Sequence, residues 1–98
     1  MKKALETSGI FHEAGFHRMY GIPNPGRGVY TIQYLSETSG IAHLTAHNIH
    51  GEVLLQQKLQ SEAGVNRPQI DLSTQPAGTY VVKLQAGTKQ ALIRIIKQ

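Results

Sequence analysis

The sequence predicts an all-β protein, an immunoglobulin-like antiparallel β-sandwich of six to seven strands. Three observations predict it. Short runs of alternating apolar and polar residues recur at about ten-residue spacing along most of the chain. Gly, Pro, Asn and Ser gather between those runs, where a chain must reverse. No stretch shows a convincing helical period. Strands with one apolar face each bury a single core between two sheets.

The elements follow in order. Residues 1 to about 20 are the least legible. Ile10, Phe11, Ala14, Phe16 and Met19 are apolar, but glycines interrupt every period. The segment reads as a short helix over 2–7, as a strand over 16–22, or as a linker, tag or disordered tail ahead of a domain spanning 21–98. Pro23-Asn24-Pro25-Gly26-Arg27-Gly28 is the clearest break. A proline disfavours the helical region in the residue before it, so Ile22 and Asn24 are pushed extended. Gly26 and Gly28 then permit a tight reversal, which makes a rigid corner.

Residues 29–35 read as a strand with Tyr30, Ile32 and Tyr34 on one face. A turn at 37–40 leads into a strand over 41–49, with Ala42, Leu44 and Ala46 inward and His43, Thr45 and His47 outward. Asn48-Ile49-His50-Gly51 turns again, and Gly51 is expected at positive φ. The strand over 52–60 has ambiguous facing, because Val53-Leu54-Leu55 is continuous. Residues 61–66 read as a polar loop. A short strand over 69–72 points Ile70 and Leu72 inward.

A polar corner follows Leu72. Pro76 presets φ for the first turn position, and Gly78 supplies positive φ where the chain swings back. Over 79–86, Tyr80, Val82, Leu84 and Ala86 alternate with Val81, Lys83 and Gln85. A hairpin at Ala86-Gly87-Thr88-Lys89 opens the last strand, 90–97. There Ala91, Ile93 and Ile95 alternate with Leu92, Arg94 and Ile96, so both faces are largely apolar. Such a strand is covered on both sides or docks onto something.

Ninety-eight residues make one domain, long enough to bury a working core. Cysteine is absent, which excludes disulfides, thiolate metal sites and a thiol nucleophile. Ten Lys and Arg against six Asp and Glu give +4, with the basic residues scattered singly apart from Lys2-Lys3. No basic stripe interleaves with aromatics, so no nucleic-acid partner is expected. No apolar run is long enough to span a bilayer. Met1-Lys2-Lys3 opens like a signal peptide, but Ala4 to Gly9 lack an apolar stretch. A role outside the cytoplasm would therefore make this a piece of a longer protein.

Candidate chemistry is sparse, and neither catalysis, a metal nor a cofactor is expected. His43 and His47 lie on one face of a strand, about 13 Å apart along the rise, too far to share an ion. The carboxylates Glu37, Glu52, Glu62 and Asp71 sit at turns and strand ends, unpaired in sequence, where acid–base catalysis needs pairs in a pocket. Asp71 is the single Asp, and no Ser stands in a nucleophile elbow. No Gly-rich loop precedes a helix. A glycan-binding module or a plain spacer is the rival reading, but Trp is absent and Tyr30, Tyr34 and Tyr80 fall on inward faces.

Three blocks carry a family resemblance over residues 20–98. The first is Tyr20-Gly21-Ile22-Pro23-Asn24-Pro25-Gly26-Arg27-Gly28. The second runs from Leu44 to Leu54, with Asn48, Gly51 and Val53-Leu54 as a strand, turn and strand. The third runs from Leu72 to Gln98, with Leu72, Pro76, Ala77, Gly78, Tyr80, Val82 and Lys83 ahead of a basic, apolar final strand. In this order and spacing they resemble the type A C-terminal sorting domain of proteins exported by the type IX secretion system of Bacteroidota. The chain departs from the family pattern where Gly21-Ile22 stands between Tyr20 and Pro23.

The resemblance implies a secretion signal and not an enzyme. It implies a larger cargo protein on the N-terminal side, a periplasmic stage, recognition by the type IX translocon, and removal by a sortase-like peptidase. The cargo then ends secreted or at the cell surface. Gly78, Tyr80, Lys83, Arg94 and Lys97 are the candidate recognition residues. Pro23, Asn24, Pro25, Gly28, Asn48, Gly51, Leu72 and Pro76 are the structural motif. The last strand is expected to present an open edge that accepts another strand, or a copy of itself at high concentration.

Overall fold

A computed structural model of the chain describes residues 11–12 and 16–98, with side chains from Arg18 onward. Among these, nine strands form: β1 (Phe11–His12), β2 (Phe16–Ile22), β3 (Val29–Ser36), β4 (Gly40–His47), β5 (Val53–Ser61), β6 (Gly64–Asn66), β7 (Gln69–Asp71), β8 (Gly78–Ala86) and β9 (Lys89–Lys97). They make two antiparallel sheets packed as a sandwich. The larger has the order β1-β9-β8-β4-β5, and the smaller has β2-β3-β6 with β7 also on β3.

The alternation dictates this packing. Tyr30, Ile32 and Tyr34 of β3 are buried and meet Ala42, Leu44 and Ala46 of β4, Tyr80, Val82 and Leu84 of β8, and Ala91, Ile93 and Ile95 of β9. Ile70 and Leu72 point inward, as their spacing requires. The β8–β9 hairpin closes through Gly87 and Thr88, with Ala86 opposite Lys89 and Gly87 at φ 63°. A two-residue loop with positive φ matches the right-handed twist of the strands it joins.

The strand over 16–22, one of the readings of the first segment, forms as β2. Met19 is wholly buried, and a register shift lies between His17 and Tyr20, with Arg18 at φ 52°. The helix over 2–7 falls outside the described residues. Gly21, the departure from the family pattern, brings the backbone of β2 close to β9: a Cβ there would lie 3.0 Å from the Ile95 side chain.

Two expectations change. The facing of β5 is set by its register, with Leu55 opposite Ala46, Gln57 opposite Leu44 and Leu59 opposite Ala42. Leu55, Gln57 and Leu59 therefore turn to the core side and Gln56, Lys58 and Gln60 away, while a register shift beside Ala46 leaves Leu54 packed against the core as well. The polar loop over 61–66 is instead largely strand. β5 runs on to Ser61, and Gly64–Asn66 pairs with Tyr34, Leu35 and Ser36. Three residues are too few for alternation to register. What holds them is the Asn66 side chain, which accepts from Glu62 N at 2.9 Å and donates to Glu62 O at 2.9 Å.

Candidate functional site: a corner zipped to the last strand

The first and third sequence blocks, some seventy residues apart, meet at one end of the sandwich. Pro23 and Pro25 have no backbone N–H, so the corner must find its hydrogen bonds elsewhere. Asn24 provides them. Its Nδ2 donates to Arg94 O at 3.1 Å, and its Oδ1 accepts from Ile96 N at 3.0 Å. One side-chain amide thus offers the donor and acceptor that a neighbouring strand's peptide groups would offer. Gly26 continues the zip: its N–H donates to Ile96 O at 2.9 Å and its carbonyl accepts from Gln98 N at 2.8 Å. Gly26 and Lys97 form a parallel bridge. The peptide bonds before both prolines are cis.

The corner is close-packed from below. Tyr30 is fully buried and its hydroxyl donates to Ile96 O at 2.9 Å. Burial pushes its pKa up, opposed in part by a hydrogen bond to Gly26 and reinforced by the neighbouring Tyr80. A Cβ at Gly26 would lie 2.6 Å from the Tyr30 ring and 2.8 Å from Pro23 O, so only glycine fits. Gly28 takes φ 147°, and a Cβ there would meet Ser73 Cα at 2.7 Å. The Gly28 carbonyl accepts from Leu72 N at 2.7 Å, which ties the corner to the turn after β7.

That turn is fixed in the same way. Asp71 Oδ1 accepts from Ser73 N at 2.8 Å, and hydrogen bonds with Ser73 hold the Asp71 carboxyl below its ordinary range. The Tyr80 hydroxyl donates to Pro76 O four residues upstream, the arrangement of a tyrosine corner. Lys97 Nζ donates to Gln75 O at 2.7 Å. Lys97 lies between Gly26 on one side and Gly78 on the other. A shallow groove of about 520 Å³ opens beside the corner, lined by Pro23, Pro25, Arg27, Gly28, Ser73 and Gln98 among others.

Most of the sequence-derived site residues converge here. Pro23, Asn24, Pro25, Gly28, Leu72, Pro76, Gly78, Tyr80, Arg94 and Lys97 all belong to the corner or the strands entering it. Tyr80 is buried at 4% exposure, so its role is to hold the turn, while Gly78 and Arg94 are exposed and Lys83 and Lys97 are half-buried. Lys83 is set apart, outward on β8 opposite Thr45 and Leu92. Asn48 and Gly51 are also apart, in the β4–β5 turn across β8. There Asn48 Oδ1 accepts from His50 N at 2.9 Å and Glu52 N at 3.0 Å. Gly51 and Gly78 both take positive φ, at 86° and 154°.

The expected open edge on the last strand is absent. β1 pairs with β9 at Ala91 and Leu92, and Asn24 and Gly26 occupy the same edge from Arg94 to Gln98. Sequence reasoning also missed Gly26, Tyr30 and Gln75 as members of this site. The signal was present in one respect: an Asn flanked by two prolines is the lone side-chain amide in a stretch starved of backbone donors.

The rival chemistries find little support. His43 and His47 face outward, with His47 Nε2 3.0 Å from Thr45 Oγ1. No cluster of three or more His, Asp or Glu able to hold a metal occurs among the described residues. Of the four tyrosines, Tyr30, Tyr34 and Tyr80 are core and Tyr20 is exposed, so no tyrosine pair forms a platform for sugar.

A family model described as the secretion system C-terminal sorting domain matches residues 20–98. No curated protein matches the chain.

Proposed function

The chain belongs to the family of secretion system C-terminal sorting domains, and from that membership we propose how its signal is read. Such a domain is a non-catalytic secretion signal: it directs a cargo protein across the outer membrane and is recognised by the type IX secretion machinery. The proposed reading surface is the corner, with Gly78, Arg94 and the Gly26–Lys97 bridge displayed and Tyr80 and Tyr30 beneath. Lys83 extends that surface along the outward face of β8. The supporting observation is the pair of hydrogen bonds from Asn24 to Arg94 and Ile96, which makes one surface from both ends of the matched region. The translocon then meets this surface only on a folded domain, so a misfolded cargo tail is not sorted.

Two finer steps belong to the same reading. The residues ahead of Phe11 act as the linker to an N-terminal cargo, and a sortase-like peptidase cuts there, because a cut beyond Met19 would take that side chain out of the core. The cargo passes through the periplasm and ends secreted or at the cell surface.

A reporter fusion tests both parts. Residues 1–98 are joined to a periplasmic reporter in hosts with and without type IX machinery. Export that requires both the domain and the machinery is expected. Export of the reporter without the domain, or from the host lacking the machinery, overturns the reading. Arg94→Glu, an exposed outward position, is expected to lower export while leaving thermal unfolding unchanged. Undiminished export of that variant removes Arg94 from the reading surface.

A further inference from the structure

Among the described residues, the larger sheet ends on β5, which pairs with β4 alone. A bare strand edge is a template for another strand, and proteins blunt such edges with cover, bulges, prolines or short strands. The other edges here carry those devices. β9 is covered by β1, Asn24 and Gly26. β2 has a register shift and a positive-φ residue at Arg18. β6 and β7 are three residues each, parted by Arg67 and Pro68.

β5 carries only one of them, a register shift at its first residues between Val53 and Leu55, and from Leu55 to Ser61 its pairing is regular. It is nine residues long, holds neither Pro nor Gly, and carries one charged side chain, Lys58. It also overhangs. The smaller sheet is three rows wide against five, so Leu55 and Leu59 face the core side yet stay half-buried.

We propose that β5 is a self-association edge, on which two copies of this chain pair antiparallel about a two-fold axis at Gln57. The two five-stranded sheets then run on as one. Gln57 is the midpoint of β5, so this axis overlaps the whole strand. It sets Leu55 of each copy opposite Leu59 of the other on the core side, extending both cores over the overhang. It sets Lys58 opposite Gln56. Moving the axis to Lys58 opposes two lysines, which is destabilising across a strand pair. Moving it to Gln56 sets each Leu55 against a glutamine.

A pair of nine-residue edges buries less than the roughly 1,200 Å² of a stable complex, so this dimer forms with rising concentration. It uses the edge opposite β9, leaving the corner free. Its failure would therefore leave the sorting function standing.

The absence of cysteine makes the test clean. Directly opposed residues of an antiparallel pair have Cα atoms about 4.5–5.5 Å apart, within disulfide range. Under mild oxidation, Gln57→Cys is expected to cross-link about tenfold faster than Thr88→Cys on the exposed β8–β9 hairpin, because opposed thiols meet at a raised effective concentration. In sedimentation, the unmodified chain associates with concentration and Gln57→Lys stays monomeric, with its thermal unfolding intact. Equal cross-linking rates for the two cysteine variants overturn the proposal. So does association that survives Gln57→Lys, or an unmodified chain that stays monomeric to about 1 mM; the last outcome leaves β5 to a strand of another protein.

Discussion

The two edges of the larger sheet solve the same problem in opposite ways. On β9, the backbone groups of Arg94, Ile96 and Gln98 are taken up by one asparagine side chain and one glycine from the other end of the domain. On β5, nine residues stand with no described partner on their outer side. The covered edge costs a specialised sequence: two prolines, an asparagine between them, and a glycine that a methyl group would displace. The open edge is made of Leu, Gln and one Lys, which tolerate exchange. Specific residues thus accumulate where backbone groups must be satisfied by something other than a strand.

The largest expected break in that contrast is Gly26→Val. Its Cβ would enter the Tyr30 ring and Pro23 carbonyl, and overpacking of this kind costs about 3 kcal/mol. Urea unfolding measures the loss, and export should fall with it. Next comes Asn24→Ala, which removes two hydrogen bonds and should cost about 2 kcal/mol. Amide exchange at Ile96 should quicken, while Leu84 in the middle of β8 keeps its protection until global unfolding.

Tyr30→Phe keeps the ring and loses the bond to Ile96 O, for about 1 kcal/mol. It also sharpens the pH profile. Burial raises the Tyr30 pKa in the folded chain, so the unfolded chain ionises first. The contribution is complete below about pH 10 and is lost as pH climbs through the folded value. Tyr34 is raised by burial as well, so the variant should lessen the alkaline loss without removing it. The smallest change is expected on the open edge. Lys58→Thr should leave the monomer within about 0.5 kcal/mol, because that side chain is exposed on the outer face. It should strengthen self-association, since a strand lysine is itself a guard against edge pairing.

Much of the fold was legible because period-2 alternation reports directly on which side chains face a core. The inward residues of β3, β4, β8 and β9 follow from that period alone. β6 was not legible, since a three-residue strand held by the Asn66 side chain has no period to detect. The facing of β5 was hidden by three consecutive apolar residues and needed the register with β4. The site was half legible. Asn24, Gly28, Pro76, Gly78 and Tyr80 stand out as turn and anchor residues. Tyr30 reads as ordinary core, and nothing along the chain says that its hydroxyl reaches Ile96.

The residue order by itself determined the all-β class, the inward faces, the turns at Gly51, Gly78 and Gly87, and the family. These are local properties, set by backbone preference and by the alternation of side chains along a strand. Tertiary structure decided which edge is shut and which is open. That choice depends on contacts between residues some seventy positions apart, and a side-chain amide selects its backbone partner only once the sandwich has brought the two together.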